Sequence, residues 1–339
     1  MPRAGTNALA RALSPGAGLG SRRILSHPTT DRANAACRRR HGVRNRTLLT
    51  LAGAGLLMAA LPTTAGTAPA DVARGKYIFG AAGGCGCHTE PKKPANSGGR
   101  KYEGPFGTVY SSNITPDRQT GIGTWTDEQI LTAIRLGRRP NGERLVPVHP
   151  FTVFNGMAEE DLKALVAFLR STPPVNRARP PKKLMPLFES VFLPAWLAAF
   201  AVRETPPPVA PTSGLARGEY LVRAVSHCGE CHTPRTITQA TDNSRFLAGT
   251  PKGPEGEAMP NITPDRETGI GGWSEEEIAE YLGSGNKPDG DVAGGLMGEV
   301  IDGTFAGYKD LTKADRLAIA RYLKSIPAVK NKIEPTGAK

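Results

Sequence analysis

Apolar residues recur at helical spacing near the ends of two long segments of the chain, 157–173 and 311–327. Residues three and four apart lie on one face of a helix, so each segment predicts an amphipathic helix with one buried side. The apolar positions are Leu162, Leu165, Val166 and Leu169 in the first segment and Ile319, Ala320 and Leu323 in the second. No convincing run of alternating apolar and polar residues predicts a strand, so the expected fold class is all-α with long loops.

Capping boxes mark where further helices begin. In Thr126-Asp-Glu-Gln129 and Ser274-Glu-Glu-Glu277 a hydroxyl residue stands three positions before a side chain that can bond back to it. Thr312 precedes the last amphipathic segment in the same way. We therefore expect helices to begin directly after these three residues.

The chain contains two copies of one unit. The segment 113–125 returns at 261–273 with 11 of 13 residues identical, at a constant offset of 148. Upstream, Arg74-Gly-Lys-Tyr77 matches Arg217-Gly-Glu-Tyr220. Each copy has about 100–120 residues, the size of an ordinary single domain. These repeats predict two tandem domains.

The expected domains cover 71–178 and 213–335, with a linker over 179–212. Pro-rich stretches flank an apolar segment, 184–202, whose aromatic residues recur every four positions. They are Phe188, Phe192, Trp196 and Phe200. This segment predicts a helix packed in the domain interface, and docking onto a partner subunit or the membrane surface is the alternative. Pro186, Pro194 and Glu189 argue against a span through a bilayer.

The formal net charge of +12 would suit a nucleic-acid-binding protein, but the charge lies outside the repeats. Residues 1–70 contain ten arginines and one acidic residue, which leaves the other residues at about +3. No nucleic-acid-binding motif appears, so a nucleic-acid partner is not expected. The 40 glycines and 30 prolines predict short helices joined by long loops.

The N-terminal segment 1–70 has the parts of a secretory signal peptide. Arg44 and Arg46 precede the uncharged apolar run 47–61, and small residues follow at Ala68-Pro-Ala70. We expect cleavage after Ala70, with Ala65 as the alternative, and a periplasmic protein. A membrane anchor would need about 20 apolar residues. Because signal peptides have short basic regions, a translation start at Val43 is a further hypothesis.

The second repeat contains Cys228-Gly-Glu-Cys231-His232, the C-x-x-C-H signal for covalent haem attachment. The two cysteines would form thioethers to the porphyrin, and His232 would be the proximal iron ligand. A zinc site would need further cysteine or histidine ligands, and a thioredoxin-like site would need a βαβ context.

The first repeat has a shortened version, Cys85-Gly-Cys87-His88. Counting back from the histidine, Cys87 and His88 correspond to Cys231 and His232, so they would supply a thioether and the proximal ligand. Residues i and i+2 point to different faces of a helix. Whether Cys85 also forms a thioether is left open, and a reactive thiol or a link to Cys87 is a weaker alternative.

The repeat also places a sixth iron ligand. Met297 lies 24 residues after Trp273, and His149 lies 24 residues after Trp125. Met297 is thus the expected distal ligand of the second haem, and His149 that of the first. Methionine ligation raises a haem potential, so the first haem should have the lower one.

These motifs together resemble the tandem c-type cytochrome subunits of periplasmic dehydrogenases for alcohols, aldehydes or gluconate. The resemblance rests on Cys228–Arg235, the two Asn-Ile-Thr-Pro-Asp loops and the closing helices. It implies a class I cytochrome c fold in each half and electron transfer. It also implies that four residues lie against haem and its propionates: Asn113, Trp125, Asn261 and Trp273. The family often has methionine where this chain has His149, and often three haems instead of two.

The leading hypothesis is a periplasmic electron carrier with two covalently attached c-type haems. It would pass single electrons from a dehydrogenase to the respiratory chain, with peripheral membrane association as an option. The alternative is a dihaem redox enzyme of the peroxidase or thiosulfate dehydrogenase type. An enzyme of this kind needs an open or displaceable sixth position on one iron, which separates the two hypotheses.

Overall fold

Helices form most of the regular structure, as the apolar pattern predicts. The computed structural model describes residues 69–201 and 203–334, and of Pro69, Ala70 and Cys85 the backbone only. The helices are α1 (Pro69–Ala81), α2 (Asp127–Leu136), α3 (Phe151–Phe154), α4 (Glu159–Ser171), α5 (Leu193–Phe200), α6 (Gly214–Tyr220), α7 (Cys228–His232), α8 (Glu275–Ser284), α9 (Gly295–Asp302) and α10 (Lys313–Ser325). Short 3₁₀ turns cover Gly83–His88, Asn243–Arg245, Pro254–Gly256 and Tyr308–Asp310, and π-helical turns cover Phe188–Phe192 and Leu221–Val225.

Helix starts follow the predicted caps. Thr126 and Ser274 close complete capping boxes at the beginning of α2 and α8. Thr312 accepts a hydrogen bond from the Asp315 backbone at the beginning of α10. The predicted signal peptide and the Val43 hypothesis concern residues outside the described ranges, apart from Pro69 and Ala70 at the beginning of α1.

A small antiparallel sheet is the part of the fold that the sequence pattern does not predict. It contains β1 (Lys101–Gly104), β2 (Gly107–Tyr110) and β3 (Lys183–Leu184), in that order. Four residues are too few for alternation to stand out, and none of the β1 or β2 residues is buried. A Cβ at Gly107 would lie 2.2 Å from the Lys183 carbonyl oxygen, so β3 can pair only because this residue is glycine.

The aromatic segment between the repeats does not form one continuous buried helix. Leu187 adopts a left-handed conformation, and the π-helical turn and α5 follow it. Phe192 and Phe200 are 48% and 41% exposed, whereas the Trp196 indole donates a hydrogen bond to the Thr238 carbonyl. No helix within the described residues is long and apolar enough to cross a membrane.

The repeated Arg-Gly-x-Tyr motif joins the first helix of each repeat to the last. The Arg74 guanidinium lies 2.7 Å from Asp161 on α4, and the Arg217 guanidinium lies 2.6 Å from Asp315 on α10. Beside each arginine, a glycine lets the two helices approach closely. A Cβ at Gly75 would lie 1.9 Å from the Ala164 carbonyl oxygen, and one at Gly218 would lie 2.0 Å from that of Ala318.

The tyrosine of each motif reaches the aspartate of the other repeat. Tyr77 donates a hydrogen bond to Asp315 at 2.6 Å, and Tyr220 donates one to Asp161 at 2.7 Å. The two tyrosines and two aspartates thus form a reciprocal interface. Each aspartate bonds to the arginine of its own repeat and to the tyrosine of the other. All described residues belong to one compact unit.

Gly75→Ala tests the helix crossing in the first repeat. Because the added methyl group would overlap the Ala164 backbone, α1 and α4 must separate, and we expect a loss of about 1–3 kcal/mol in unfolding free energy. Urea unfolding measures this loss. Gly272→Ala is the matched control, since a Cβ there meets nothing within 4 Å. Equal unfolding midpoints for the two variants would contradict the close crossing.

Candidate haem-binding sites

The second repeat presents its attachment motif as a single short helix, α7. Cys228 and Cys231 are half-buried on this helix, which ends at His232. The thiols are protonated in the chain without haem, since burial raises the pKa of Cys228 to about 11 and that of Cys231 to about 12. The arrangement places both cysteines and the histidine within two turns, as the motif predicts.

Each candidate proximal histidine is oriented by a backbone carbonyl. The Nδ1 atom of His232 lies 2.8 Å from the Pro260 carbonyl oxygen, and that of His88 lies 2.8 Å from the Ser112 carbonyl oxygen. With the proton held on Nδ1, Nε2 has a free lone pair for a metal. Ser112 and Pro260 stand at the same offset of 148 and precede the repeated Asn-Ile-Thr-Pro loops. The two sites are therefore built on the same plan.

The first attachment segment is the 3₁₀ turn Gly83–His88, where the second repeat has a helix. Cys87 is exposed, and its carbonyl oxygen accepts a hydrogen bond from the Tyr102 hydroxyl at 3.1 Å. The side chain of Cys85 lies outside what the structure describes, so its thioether remains a prediction. The shortened motif thus coincides with a tighter 3₁₀ turn, where the complete motif forms an α-helix.

His149 faces His88 across a gap. The two ring centroids are 6.4 Å apart with an interplanar angle of 79°. Metal–imidazole bonds are about 2 Å long, so two imidazoles on opposite sides of one metal have centroids roughly 6 Å apart. The Nε2 atom of His149 is buried and has no hydrogen-bond partner. A buried ring nitrogen without a partner is costly, and an iron between these two rings would satisfy it.

The surroundings of His149 hold it in the neutral form that binds metals. Burial, together with the smaller effect of the nearby His88, lowers the pKa of His149 to about 3, against a backbone hydrogen bond with Ile134 that raises it. The Phe154 ring packs 5.5 Å from the His149 ring and 5.1 Å from that of His227. The residues present therefore fit a haem iron held by two histidines.

Met297 lies in the first turn of α9, half-buried against the hydrophobic core. It is the residue at the position of the second repeat that corresponds to His149. Within the described ranges, no cluster of three or more histidine, cysteine or acidic residues could hold a bare metal ion. The donor set around α7 is that of a haem rather than of a zinc site.

The two predicted asparagines hold their loops together. The Asn113 carbonyl oxygen accepts bonds from the Thr115 backbone and hydroxyl, and its amide donates to Thr120 and to the Val175 carbonyl. Asn261 makes the equivalent bonds to Thr263, Thr268 and Val329. Each asparagine thereby fixes its own loop. The carbonyl group just before that loop, from Ser112 or Pro260, orients the candidate proximal histidine.

The two predicted tryptophans are half-buried at equivalent positions. Trp125 and Arg139 line a cavity of about 260 Å³, and the Arg139 guanidinium lies 5.8 Å from the Trp125 ring. Trp273 packs edge-on against Tyr281 at 5.6 Å. Arg139 donates a hydrogen bond to the Ser112 hydroxyl, and its Nε is buried without one.

Sequence reasoning missed Arg139, although it stands ten residues before His149 and Lys287 occupies its place in the second repeat. It also missed Ser112 and Pro260, which act through their backbone carbonyls. Only their position before the repeated asparagines could have marked them.

Comparisons with known proteins concern the chain as a whole. No protein-family model matches the chain. The chain is 40% identical to a dihaem c-type cytochrome of Cereibacter sphaeroides over 268 residues, which cover 76% of this chain and 87% of that protein. It is 36% identical to the fructose dehydrogenase cytochrome subunit of Gluconobacter japonicus, covering 79% of this chain and 55% of the relative. The gluconate 2-dehydrogenase cytochrome c subunit of Pantoea cypripedii is also 36% identical, over 76% of this chain and 60% of its own length.

The chain thus spans little more than half of those two dehydrogenase subunits but most of the dihaem cytochrome. The chain belongs to the family of c-type cytochromes that includes dihaem cytochromes c and the cytochrome c subunits of dehydrogenases.

Proposed function

We propose that the chain is an electron carrier with two covalently bound haems, and that two side chains of the chain ligate each haem iron. The observation that carries this proposal is the buried, unpartnered Nε2 of His149 opposite His88. A second histidine at this place leaves no open position for a substrate on the first iron. Haem supplies reversible one-electron chemistry, and the chain sets its potential through ligands and burial.

In the second site, Cys228 and Cys231 bind the porphyrin, His232 is the proximal ligand and Met297 is the distal ligand. The Pro260 carbonyl holds the proton on Nδ1 of His232 and thereby orients its ring. In the first site Ser112 does the same for His88. Each carbonyl fixes the ring before iron binds, which lowers the cost of ordering the ligand.

In the first repeat Cys87 forms the covalent bond to the haem. The shortened motif does not decide whether Cys85 forms a second one. Trp125 and Trp273 form one wall of each site, and Arg139 supplies a positive charge beside the cavity next to Trp125. Each repeat constitutes one cytochrome c domain, within the boundaries expected from the sequence. Asn113 and Asn261 act through the loops that they hold.

The electron donor is a dehydrogenase, and the acceptor belongs to the respiratory chain. Support for the donor comes from the relatives that are named as cytochrome subunits of fructose, gluconate and alcohol dehydrogenases. The signal-like segment 1–70 favours a periplasmic location. The half-exposed Phe192 and Phe200 favour docking of this side onto a partner subunit or a membrane surface.

Redox titration of the purified, haem-loaded chain tests the proposal against the alternative of a dihaem enzyme. We expect two reversible one-electron steps and no sustained consumption of hydrogen peroxide or oxidation of thiosulfate. Sustained turnover of either compound, with one iron accepting cyanide, would favour the enzyme. The intact mass of the same sample gives the number of bound haems and the N-terminal residue.

A further inference from the structure

Arg100 lies just before β1 and is buried between two glutamates that belong to the second repeat. Its side chain is only 8% exposed. Nε and Nη2 donate to the Glu255 carboxylate at 2.5 and 2.9 Å, and Nη1 donates to the Glu299 carboxylate at 2.6 Å. Hydrogen bonding with Glu255 raises the pKa of Arg100, so the guanidinium stays charged. These bonds connect the first repeat to α9.

The cluster of Arg100, Glu255 and Glu299 sits where the first attachment turn contacts α9. Arg100 Nη1 also lies 3.3 Å from the Gly86 carbonyl oxygen, in the middle of that turn. A Cβ at Gly86 would lie 3.7 Å from the Glu299 carboxylate. Thr304, just beyond α9, donates a hydrogen bond to the Gly84 carbonyl at 2.9 Å. The turn that contains Cys87 and His88 therefore packs against α9 and against the residues just beyond it.

On α9, Glu299 stands two residues after Met297. Positions i and i+2 lie on nearly opposite sides of a helix, so Met297 lies on the side of α9 nearly opposite to Glu299, which bonds to the first repeat. Fixing Glu299 therefore fixes the rotation of α9 about its axis. The direction of the Met297 side chain depends on that rotation.

We propose that Arg100 is a positioning residue for Met297: through Glu299 it sets α9 so that the thioether meets the second iron. The inference rests on the proposed ligation by Met297. The first repeat thereby helps to build the second redox site. Without the guanidinium, Glu255 and Glu299 would face each other as like charges, which would push α9 away from the turn Pro254–Gly256. The bond from Arg100 to the Gly86 carbonyl, which ties this cluster to the attachment turn, would also be lost.

Arg100→Met tests this role in the haem-loaded chain by competition with imidazole. Imidazole displaces a loosely held methionine, which the loss of the thioether–iron charge-transfer band reports. Loss of a residue that orients a ligand typically weakens ligation about 10- to 100-fold, so the imidazole midpoint should fall by about this factor. Arg100→Lys, which keeps the charge, should restore part of the loss.

Two further variants keep the test decisive. Lys163→Met is the control, because it removes a cation from the exposed pair with Glu159, remote from α9, and should leave the midpoint unchanged. Glu299→Gln keeps the size of the side chain and should lower the midpoint even if Arg100→Met fails to load haem. An unchanged midpoint in Arg100→Met, or in Glu299→Gln when the arginine variant does not load, overturns the inference. Absence of the band from the unmodified chain would instead refute ligation by Met297.

Discussion

Asp315→Ala is expected to lower the free energy of unfolding by about 3 kcal/mol or more. Asp315 pairs with Arg217, and both side chains are 10% exposed. Removal of the carboxylate would leave a buried guanidinium without its counter-charge and the Tyr77 hydroxyl with only the distant Thr312 hydroxyl, at 3.4 Å, as an acceptor. Breaking a buried pair from one side costs far more than the pair itself contributes, because the remaining charge is not solvated.

Urea unfolding of the haem-loaded chain measures this effect. Glu159→Gln is the control, since it removes a carboxylate from an exposed pair with Lys163 and should leave the midpoint unchanged within error. Equal midpoints for Asp315→Ala and the control would show that the reciprocal contact between the repeats contributes little to stability.

Acid should weaken the same contact. Burial alone would raise the pKa of Asp315, but hydrogen bonds from Arg217 and Tyr77 outweigh it and hold the pKa below its ordinary value. A carboxyl group with a lowered pKa in the folded state stabilises the protein above its unfolded pKa of about 4 and loses this effect as the pH falls. The unfolding free energy of Asp315→Asn should therefore fall less steeply below about pH 4 than that of the unmodified chain.

His149→Met is expected to raise the potential of the first haem and to leave that of the second unchanged. A thioether stabilises ferrous iron relative to an imidazole, so exchange of the ligand favours the reduced state. This effect appears only if both His88 and His149 bind one iron, and the distance of 6.4 Å between their ring centroids fits such binding. A redox titration resolves the two steps, and only the lower one should move upward.

His227→Asn is the matched control for this titration. His227 lies 5.1 Å from Phe154, in the same row of rings as His149, and precedes Cys228. Its φ of 42° is left-handed, a conformation that asparagine tolerates. We expect neither step to move in this variant. A lower step that stays in place in His149→Met would exclude His149 as a ligand.

The candidate residues of each site can be named from the sequence because they lie in short, repeated motifs. The C-x-x-C-H motif forms α7, and the fixed offset from Met297 singles out His149, whose ring lies opposite that of His88. The Arg-Gly-x-Tyr match was visible as a repeat, but its role was not. Only the structure shows that its tyrosine bonds to the other copy.

Contacts between segments that are distant in the sequence could not be predicted, because no motif marks them. The equivalent backbone bonds from Gly98 to His88 and from Gly249 to His232 align Arg100 with Pro251, so the second repeat has no arginine at this place. The bonds of Arg100 to Glu255 and Glu299 therefore follow no periodic pattern. Ser112 and Pro260 act through backbone atoms, which any residue could supply. The short sheet depends on a single glycine at 107 rather than on alternation.

We propose that the chain binds two haems covalently and that two of its side chains ligate each iron. Electron paramagnetic resonance of the oxidised, haem-loaded protein tests it most directly. We expect two low-spin ferric signals, one from iron ligated by His88 and His149 and one from iron ligated by His232 and Met297, with no high-spin component. A high-spin signal that converts to low spin on addition of cyanide would contradict it.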